Sequence, residues 1–237
     1  MKAPLEQSDE LIPLKQAVEL AGANVLDLGC GAGWLSRRIA DAGAASVTAI
    51  DTDADRIARN IAQDGKTVRF LTGAAQALPL QDASLDLIVM MKSLHHVPIP
   101  QMGAAFDEFA RVLRANGQVY ICEPAYEGDF NEVVRIFHDE GPERAAALQA
   151  IADAAAFGII RETDYIRPVN FTSLDDFRTK MMHLPWLKDR ITPAIETQVE
   201  TAWKIHANPD GSAAFKSRMI VFVLRKKRQN AQGQRSE

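Results

Sequence analysis

Three glycines at alternate positions follow a short apolar run, and this turn constrains the fold more than any other stretch. The run is residues 24–28, and the glycines are Gly29, Gly31 and Gly33. It predicts a buried parallel strand that turns sharply into a helix. Glycine takes positive φ and lets a ligand lie against bare main chain. The helix beginning near Trp34 would aim its free N–H groups and positive dipole end at that ligand.

A second apolar run closes on an acidic residue. Residues 47–50 precede Asp51, which lies 22 positions after Gly29. In doubly wound folds an acidic side chain at this distance from the glycine turn holds a ribose through its hydroxyls. The two motifs together predict a ligand that contains a nucleoside.

The glycine spacing separates two classes of nucleoside ligand. A dinucleotide fingerprint places its third glycine five positions after the first, where this chain has Trp34. Asp27, just before the turn, would repel a pyrophosphate but suits a ligand with an ammonium or sulfonium group. A nicotinamide-dependent oxidoreductase is therefore disfavoured, although it stays open as an alternative.

Three further segments complete a pattern that covers residues 24–124: residues 70–80, 84–97 and 111–124. In this order and spacing, the sequence resembles the class I S-adenosylmethionine-dependent methyltransferases. It is most similar to the small-molecule branch that includes the ubiquinone and menaquinone C-methyltransferases. The resemblance implies S-adenosylmethionine as cofactor and transfer of its methyl group to a small-molecule acceptor by in-line displacement.

Strand and helix patterns alternate through the first half of the chain, which predicts a parallel sheet with helices on both faces. The predicted strands are 24–28, 46–50, 67–71, 85–91 and 118–123, and the predicted helices are 34–42, 54–63 and 103–113. The resemblance implies an α/β, Rossmann-like, doubly wound sheet of seven strands with the last strand antiparallel, and helical cap insertions.

We expect one methyltransferase domain over residues 1–226, with 24–124 as its cofactor-binding core. The segments 126–143 and 173–210 are interpreted as insertions that shape the acceptor site, because ligands bind above the carboxyl ends of the strands in open α/β sheets. Residues 227–237 are polar and basic and are predicted to form a disordered tail.

The Ala-rich stretch 144–157 predicts a further helix that ends at Gly158.

The resemblance also implies the cofactor contacts. Asp27 would face the methionine ammonium, Asp51 would hold the ribose and Thr52 would lie beside the adenine. Ala74 stands where many relatives have an acidic partner for the adenine amino group, so backbone atoms of Ala74 and Ala75, or the side chain of Gln76, would replace it. The remaining predicted cofactor contacts are Gly29, Cys30, Gly31, Gly33, Met91, Lys92 and His96.

His95 and His96 follow the fourth predicted strand, near the expected position of the methyl group, and Glu123 ends the fifth. Histidine titrates near neutrality and is the commonest general base. These three residues are the catalytic candidates. The alternative is that the histidines pack against the cofactor or cap the next helix.

Composition excludes some function classes. A net charge of −4 gives no basic face, and no Asn/Asp-Pro-Pro-aromatic signature follows the fourth strand, so a nucleic-acid partner is not expected. The two cysteines, Cys30 and Cys122, lack metal-ligand spacing, and we predict no metal site. No membrane insertion is expected, and reduced buried cysteines suit a cytoplasmic protein.

Two alternatives to a small-molecule methyltransferase remain besides the oxidoreductase. One is a module that binds S-adenosylmethionine without turnover, since fold does not imply function. The other is a methyltransferase acting on protein or nucleic acid. The acceptor atom (oxygen, nitrogen, carbon or sulfur), the need for a general base and the oligomeric state stay undetermined.

Overall fold

The computed structural model describes residues 5–6, 9–63, 67–187 and 189–228. Most of the predicted tail, from residue 229 onward, lies outside them. The strands are β1 (Leu5–Glu6), β2 (Asn24–Leu28), β3 (Ser46–Asp51), β4 (Arg69–Thr72), β5 (Leu85–Met91), β6 (Leu113–Pro124), β7 (Phe157–Phe171) and β8 (Ala213–Lys226).

Eight α-helices are present in the same part of the chain. They are α1 (Leu11–Ala17), α2 (Trp34–Asp41), α3 (Ala54–Gln63), α4 (Met102–Val112), α5 (Asp129–Val134), α6 (Gly141–Asp153), α7 (Leu174–Phe177) and α8 (Pro193–His206). A π-helical turn, Arg178–Met182, continues α7. No helix in the described ranges combines the length and apolar character needed to cross a bilayer.

The strands form one sheet in the order β4-β3-β2-β5-β6-β8-β7-β1. The pairs β3/β4, β2/β3, β2/β5 and β5/β6 are parallel. Strand β8 is antiparallel to its neighbours β7 and β6. Lys227 N, just after the end of β8, donates to Ala156 O, just before the start of β7, at 2.9 Å. Ala125 N, just after the end of β6, donates to Arg218 O, in the first half of β8, at 2.9 Å. The predicted fold class is confirmed: β2 to β8 form the expected seven-stranded mixed sheet, in which β8 is the antiparallel strand.

One strand adds to the predicted set. The two-residue β1 pairs in parallel with the edge of β7, with Leu5 opposite Tyr165. A two-residue strand is too short to leave an alternation pattern in the sequence, so periodicity does not reveal it.

The helix predicted over 144–157 ends early. It is α6, which stops at Asp153, and Phe157 begins β7 with Gly158 inside the strand. Phe157 is 4% exposed, and its ring centroid lies 6.1 Å from that of Phe106 in α4. Burial of this aromatic ring overrides the local helix preference of the alanines.

The chain folds into two compact units. The first comprises β1, Pro124–Arg144 and Asp164–Ile220, and the second comprises Asp9–Glu123, Ala145–Thr163 and the chain from Val221. The first unit has an aromatic core of its own, in which Phe177 lies 5.0 Å from Phe171 and 5.4 Å from Trp203 between ring centroids. The second unit holds β2 to β5, of which the central strands β2 and β5 are almost wholly buried.

Candidate functional site

The glycine turn after β2 has the predicted left-handed backbone. Gly29, Gly31 and Gly33 have φ of 78°, 54° and 70°. A Cβ on Gly29 would lie 2.5 Å from the Cβ of Ser93, and one on Gly33 would lie 2.7 Å from the ring of Phe70. The protein itself therefore fills the space at these two glycines. A Cβ on Gly31 meets nothing closer than 3.7 Å, so the open side of the turn is at Gly31.

Asp51, at the end of β3, lies against this turn. Its Oδ2 accepts a hydrogen bond from Gly31 N at 2.8 Å, and its Oδ1 accepts one from Asp53 N at 3.0 Å. These two bonds fix the carboxylate. Each carboxylate oxygen has a further lone pair, which leaves acceptor capacity for the hydroxyls of a ligand. Asp53 caps α3, since its Oδ1 accepts from Arg56 N at 2.9 Å.

Two side chains donate hydrogen bonds to main-chain carbonyl oxygens of the turn, and the sequence predicts neither bond. The Asn60 amide is 2% exposed, and its Nδ2 donates to Gly31 O at 2.8 Å. Arg37 Nη1 donates to Ala32 O at 2.9 Å. For Asn60 the sequence does carry one indication: it lies three positions after the buried Ile57, on the same face of α3. A polar side chain on a buried helix face needs a partner, and here that partner is the turn.

Asp27 is a buried carboxylate beside the turn. It is 2% exposed, and its Oδ2 accepts a hydrogen bond from Ser36 Oγ at 2.6 Å. Burial raises the pKa of Asp27 to about 6, the Ser36 bond lowers it, and the nearby charge of Asp51 raises it. This carboxylate is ionised at neutral pH at a cost in stability, and a bound cation would remove that cost.

A cleft of about 320 Å³ opens at the carboxyl ends of the central strands. Six of the predicted cofactor contacts line it: Gly29, Asp51, Thr52, Ala74, Ala75 and His96. The other lining residues are Leu28, Ile50, Gly73, Gln76, Met90, Ser93, Val97 and Pro98. The cleft therefore brings together segments that follow β2, β3, β4 and β5, as expected for a ligand at the end of a parallel sheet.

The other predicted contacts are not among the residues that line the cleft: Asp27, Cys30, Gly31, Gly33, Met91 and Lys92. Cys30 is 6% exposed, and burial raises the pKa of its thiol to about 12. Met91 is buried at the end of β5. Lys92 has a left-handed φ of 57°, and its Nζ lies 2.6 Å from Glu10 Oε1. Ser93 Oγ donates to Leu28 O at 2.7 Å, which joins the loop after β5 to the end of β2.

The three catalytic candidates are neighbours. Glu123 and His95 are 2% and 4% exposed, and Glu123 Oε2 pairs with His95 Nδ1. Glu123 Oε1 accepts from Leu94 N at 2.9 Å. The His95 and His96 ring centroids are 4.0 Å apart, and His96 lies on the cleft wall. A carboxylate at Nδ1 favours a proton there and leaves the lone pair of neutral His95 on Nε2, as in hydrolase triads.

Comparison with known proteins finds methyltransferases similar to part of the chain. Residues 25–117 match a family model described as a methyltransferase domain. The ubiquinone biosynthesis O-methyltransferase of Xylella fastidiosa is 38% identical over 112 residues, which are 46% of this chain and 44% of that protein. The matched region therefore spans less than half the length of such curated relatives.

Solved structures show the same fold. The YcgJ protein of Bacillus subtilis superimposes with a TM-score of 0.61 at 21% identity, over 92% of this chain and 97% of that one. The [4+2]-cyclase SpnF superimposes with a TM-score of 0.60 at 20% identity, over 97% and 88%. At these identities the likeness concerns the fold alone.

The sheet order is that of a Rossmann-like fold, with the cleft at the carboxyl ends of its central strands. Over residues 25–117 the chain is similar to methyltransferase domains, and the resemblance implies S-adenosylmethionine as the cofactor.

Proposed function

We propose that this protein transfers the methyl group of S-adenosylmethionine to a small-molecule acceptor. The observation that carries the proposal is the arrangement at the cleft, which is lined by Gly29 of the glycine turn, the fixed Asp51 carboxylate and the segment 73–76. A glycine turn with room at Gly31 fits a ligand that lies against main chain.

The site residues take the roles expected from the resemblance. Asp51 receives the ribose hydroxyls, and Thr52 lies beside the base. Ala74 and Ala75 offer backbone atoms to the adenine, with Gln76 as the polar side chain on that wall. The buried charge of Asp27 complements an ammonium group. The bound cofactor supplies an activated methyl group on sulfur, so the protein's work is to align the acceptor and exclude water.

His95 and Glu123 form a candidate proton-accepting pair for acceptors that must lose a proton. Glu123 orients the ring through Nδ1, so Nε2 holds the incoming proton and the carboxylate stabilises the resulting imidazolium. His96, in ring contact with His95 and on the cleft wall, is the candidate link to the site.

The proposed acceptor is a small molecule with a methylatable oxygen. Support comes from the ubiquinone biosynthesis O-methyltransferases among the relatives and from the acidic net charge, which does not favour nucleic acid. We propose that 126–143 and 173–210 determine acceptor choice. The second candidate function is binding of S-adenosylmethionine without methyl transfer, which the cyclase SpnF favours because it is named for a different reaction on this fold.

The role of Asp51 is tested by Asp51→Ala. We expect the affinity for S-adenosylhomocysteine to fall about tenfold or more, because hydrogen bonds to a charged group are lost. Isothermal titration calorimetry on folded protein measures this. Asp53→Ala is the matched control, since it removes the α3 cap but no cleft residue. Equal affinity of Asp51→Ala and wild type would remove the ribose assignment.

The base is tested by Glu123→Gln. With any acceptor that the wild type methylates after loss of a proton, we expect kcat to fall about 100-fold, in the range typical of general-base catalysis. Affinity for S-adenosylmethionine should stay within about twofold, because neither Glu123 nor His95 lines the cleft. An unchanged kcat would mean that His95 and Glu123 have a packing role and do not act as a base.

A further inference from the structure

The loop that follows β5, within the second compact unit, begins with a residue in an unfavourable backbone conformation. Lys92 has φ of 57°, and a left-handed backbone is disfavoured for a residue that carries a Cβ. Its N–H donates to Cys122 O in β6 at 2.7 Å. The chain therefore turns sharply at Lys92 while its backbone is still bonded to the neighbouring strand.

This turn places the next residues on the wall of the cleft. Ser93 and His96 both line the cleft. Ser93 Oγ donates to Leu28 O at 2.7 Å, and a Cβ added to Gly29 would lie 2.5 Å from the Ser93 Cβ. The loop therefore packs directly against the glycine turn, so a change in the backbone at Lys92 would move one wall of the cleft.

A buried acidic side chain from the start of the second unit pairs with Lys92. Glu10 is 5% exposed, and its Oε1 lies 2.6 Å from Lys92 Nζ, although the two residues are 82 positions apart. A buried carboxylate needs a positive partner, and a hydrogen bond between charged groups is strong. The pair therefore restricts where the Lys92 side chain can go and stabilises the backbone conformation that allows the contact.

The neighbouring acidic residue has a separate partner. Both carboxylate oxygens of Asp9 accept hydrogen bonds from Arg38 of α2 at 2.7 Å. Asp9 Oδ1 also accepts from Leu11 N at the start of α1, at 3.0 Å. Because Asp9 already joins the start of α1 to α2, the pair between Glu10 and Lys92 is not required for that purpose.

We propose that Glu10 is a positioning residue of the cleft: through Lys92 it stabilises the left-handed turn that places Ser93 and His96 on the cleft wall. The inference rests on the proposed function, since it takes S-adenosylmethionine as the ligand of this cleft. Glu10 is not among the residues that line the cleft, so it acts through the loop. Without the pair, fewer molecules hold the wall in place, and the apparent affinity falls by that fraction.

The first test is Glu10→Ala, with S-adenosylhomocysteine titrated calorimetrically into the full chain. We expect the affinity to fall about tenfold, because a hydrogen bond between charged groups is lost. Glu10→Gln keeps the size and one acceptor oxygen but loses the charge, and it should show a smaller loss in the same direction. Urea unfolding establishes that each variant is folded.

Asp9→Ala is the matched control for an effect of α1 alone. It removes an acidic side chain and an ion pair from the same end of α1, but its printed partners do not include the loop after β5. We expect the affinity for S-adenosylhomocysteine to stay within about twofold of wild type, because a largely exposed ion pair contributes little.

A second substitution at Lys92 separates positioning from a purely structural role. Glycine adopts positive φ without the cost that a Cβ imposes, so adding Lys92→Gly to Glu10→Ala should restore most of the lost affinity. In the Lys92→Gly background, Glu10→Ala should change the affinity by less than about twofold, because the interaction that it removes is already absent. A purely structural role for Glu10 would lower stability and give no such rescue.

Amide hydrogen exchange tests the loop without any ligand. Leu94 N donates to Glu123 Oε1 at 2.9 Å, so its exchange reports on the position of the loop. In cofactor-free Glu10→Ala this amide should exchange about tenfold faster than in wild type, because the loop is released more often. Adding Lys92→Gly should return its exchange toward the wild-type rate.

Four results would each overturn the inference: wild-type affinity in folded Glu10→Ala and Glu10→Gln, an equal loss of affinity in Asp9→Ala, no rescue by Lys92→Gly, or unchanged exchange of the Leu94 amide. Wild-type protein that does not bind S-adenosylhomocysteine would instead contradict the proposed function. The exchange of Leu94 would then still show whether Glu10 positions the loop.

Discussion

Asp27→Asn is expected to stabilise the cofactor-free protein and to abolish most of its affinity for S-adenosylmethionine. The carboxylate is 2% exposed and has a pKa of about 6 in the folded chain, against an ordinary 3.8. That difference corresponds to about 3 kcal/mol of destabilisation above pH 6. An amide is neutral and still accepts the bond from Ser36, so we expect a gain of about 1–3 kcal/mol in unfolding free energy.

The pH dependence has a definite sign. Because the folded pKa of Asp27 is raised, the folded state keeps a proton between pH 3.8 and 6 that the unfolded state has lost. The destabilisation is absent below this window, grows as pH rises through it and is complete above it. The stability advantage of Asp27→Asn should therefore shrink as pH is lowered toward 4. Urea unfolding at several pH values measures this.

The affinity for S-adenosylmethionine should also depend on the ionisation of Asp27, but it should rise with pH where the stability of the cofactor-free protein falls. In wild type, S-adenosylmethionine should bind more weakly as pH falls through 6, because a proton then competes with the cationic group for Asp27. In Asp27→Asn, the affinity at neutral pH should be about tenfold or more weaker. It should not change as pH falls through 6, because the amide does not titrate. Asp86→Asn is the control, since Asp86 is paired with Asn24 and Arg114 and its pKa is lowered. A less stable Asp27→Asn protein, or one that binds normally, would refute this role.

Gly31→Val is expected to eliminate cofactor binding while the circular dichroism spectrum stays close to native. A Cβ at Gly31 has room in the cofactor-free protein, with only Arg56 Nη1 at 3.7 Å, so the side chain occupies the open face of the turn. The left-handed φ of 54° adds strain of about 1–2 kcal/mol for a residue with a Cβ. Calorimetry with S-adenosylhomocysteine and thermal unfolding separate the two effects.

Gly22→Val is the matched control for backbone strain. Gly22 has φ of 72°, a Cβ added there would have no described atom within 4 Å, and the residue lies outside the Gly29–Gly33 turn. It should lose similar stability and keep full affinity. Retained binding in Gly31→Val would mean that the cofactor lies elsewhere.

Local patterns predicted the framework of the second unit well. The glycine turn, the acidic end of β3 and the alternating strands are short-range features, and the structure places Gly29, Asp51 and His96 on one wall. The sequence placed His95 and Glu123 after neighbouring strands but did not predict their pairing, which follows from the parallel strands β5 and β6 ending at the same edge.

Hydrogen bonds between side chains and distant parts of the chain could not be predicted from the sequence. The bond from Asn60 to Gly31 joins residues 29 apart in the chain, and the bond from Ser36 to Asp27 depends on how α2 sits on β2. Neither leaves a periodic signal. The early end of α6 has the same origin, since burial of Phe157 decides it rather than local helix propensity. The cap roles of 126–143 and 173–210 stay a prediction.

The most direct test of the central claim is a crystal structure of the protein with S-adenosylhomocysteine. We predict the adenosyl group in the cleft, both ribose hydroxyls on the Asp51 carboxylate and the adenine against the segment 73–76. A ligand bound away from the Gly29–Gly33 turn, or a ribose held without Asp51, would contradict this assignment.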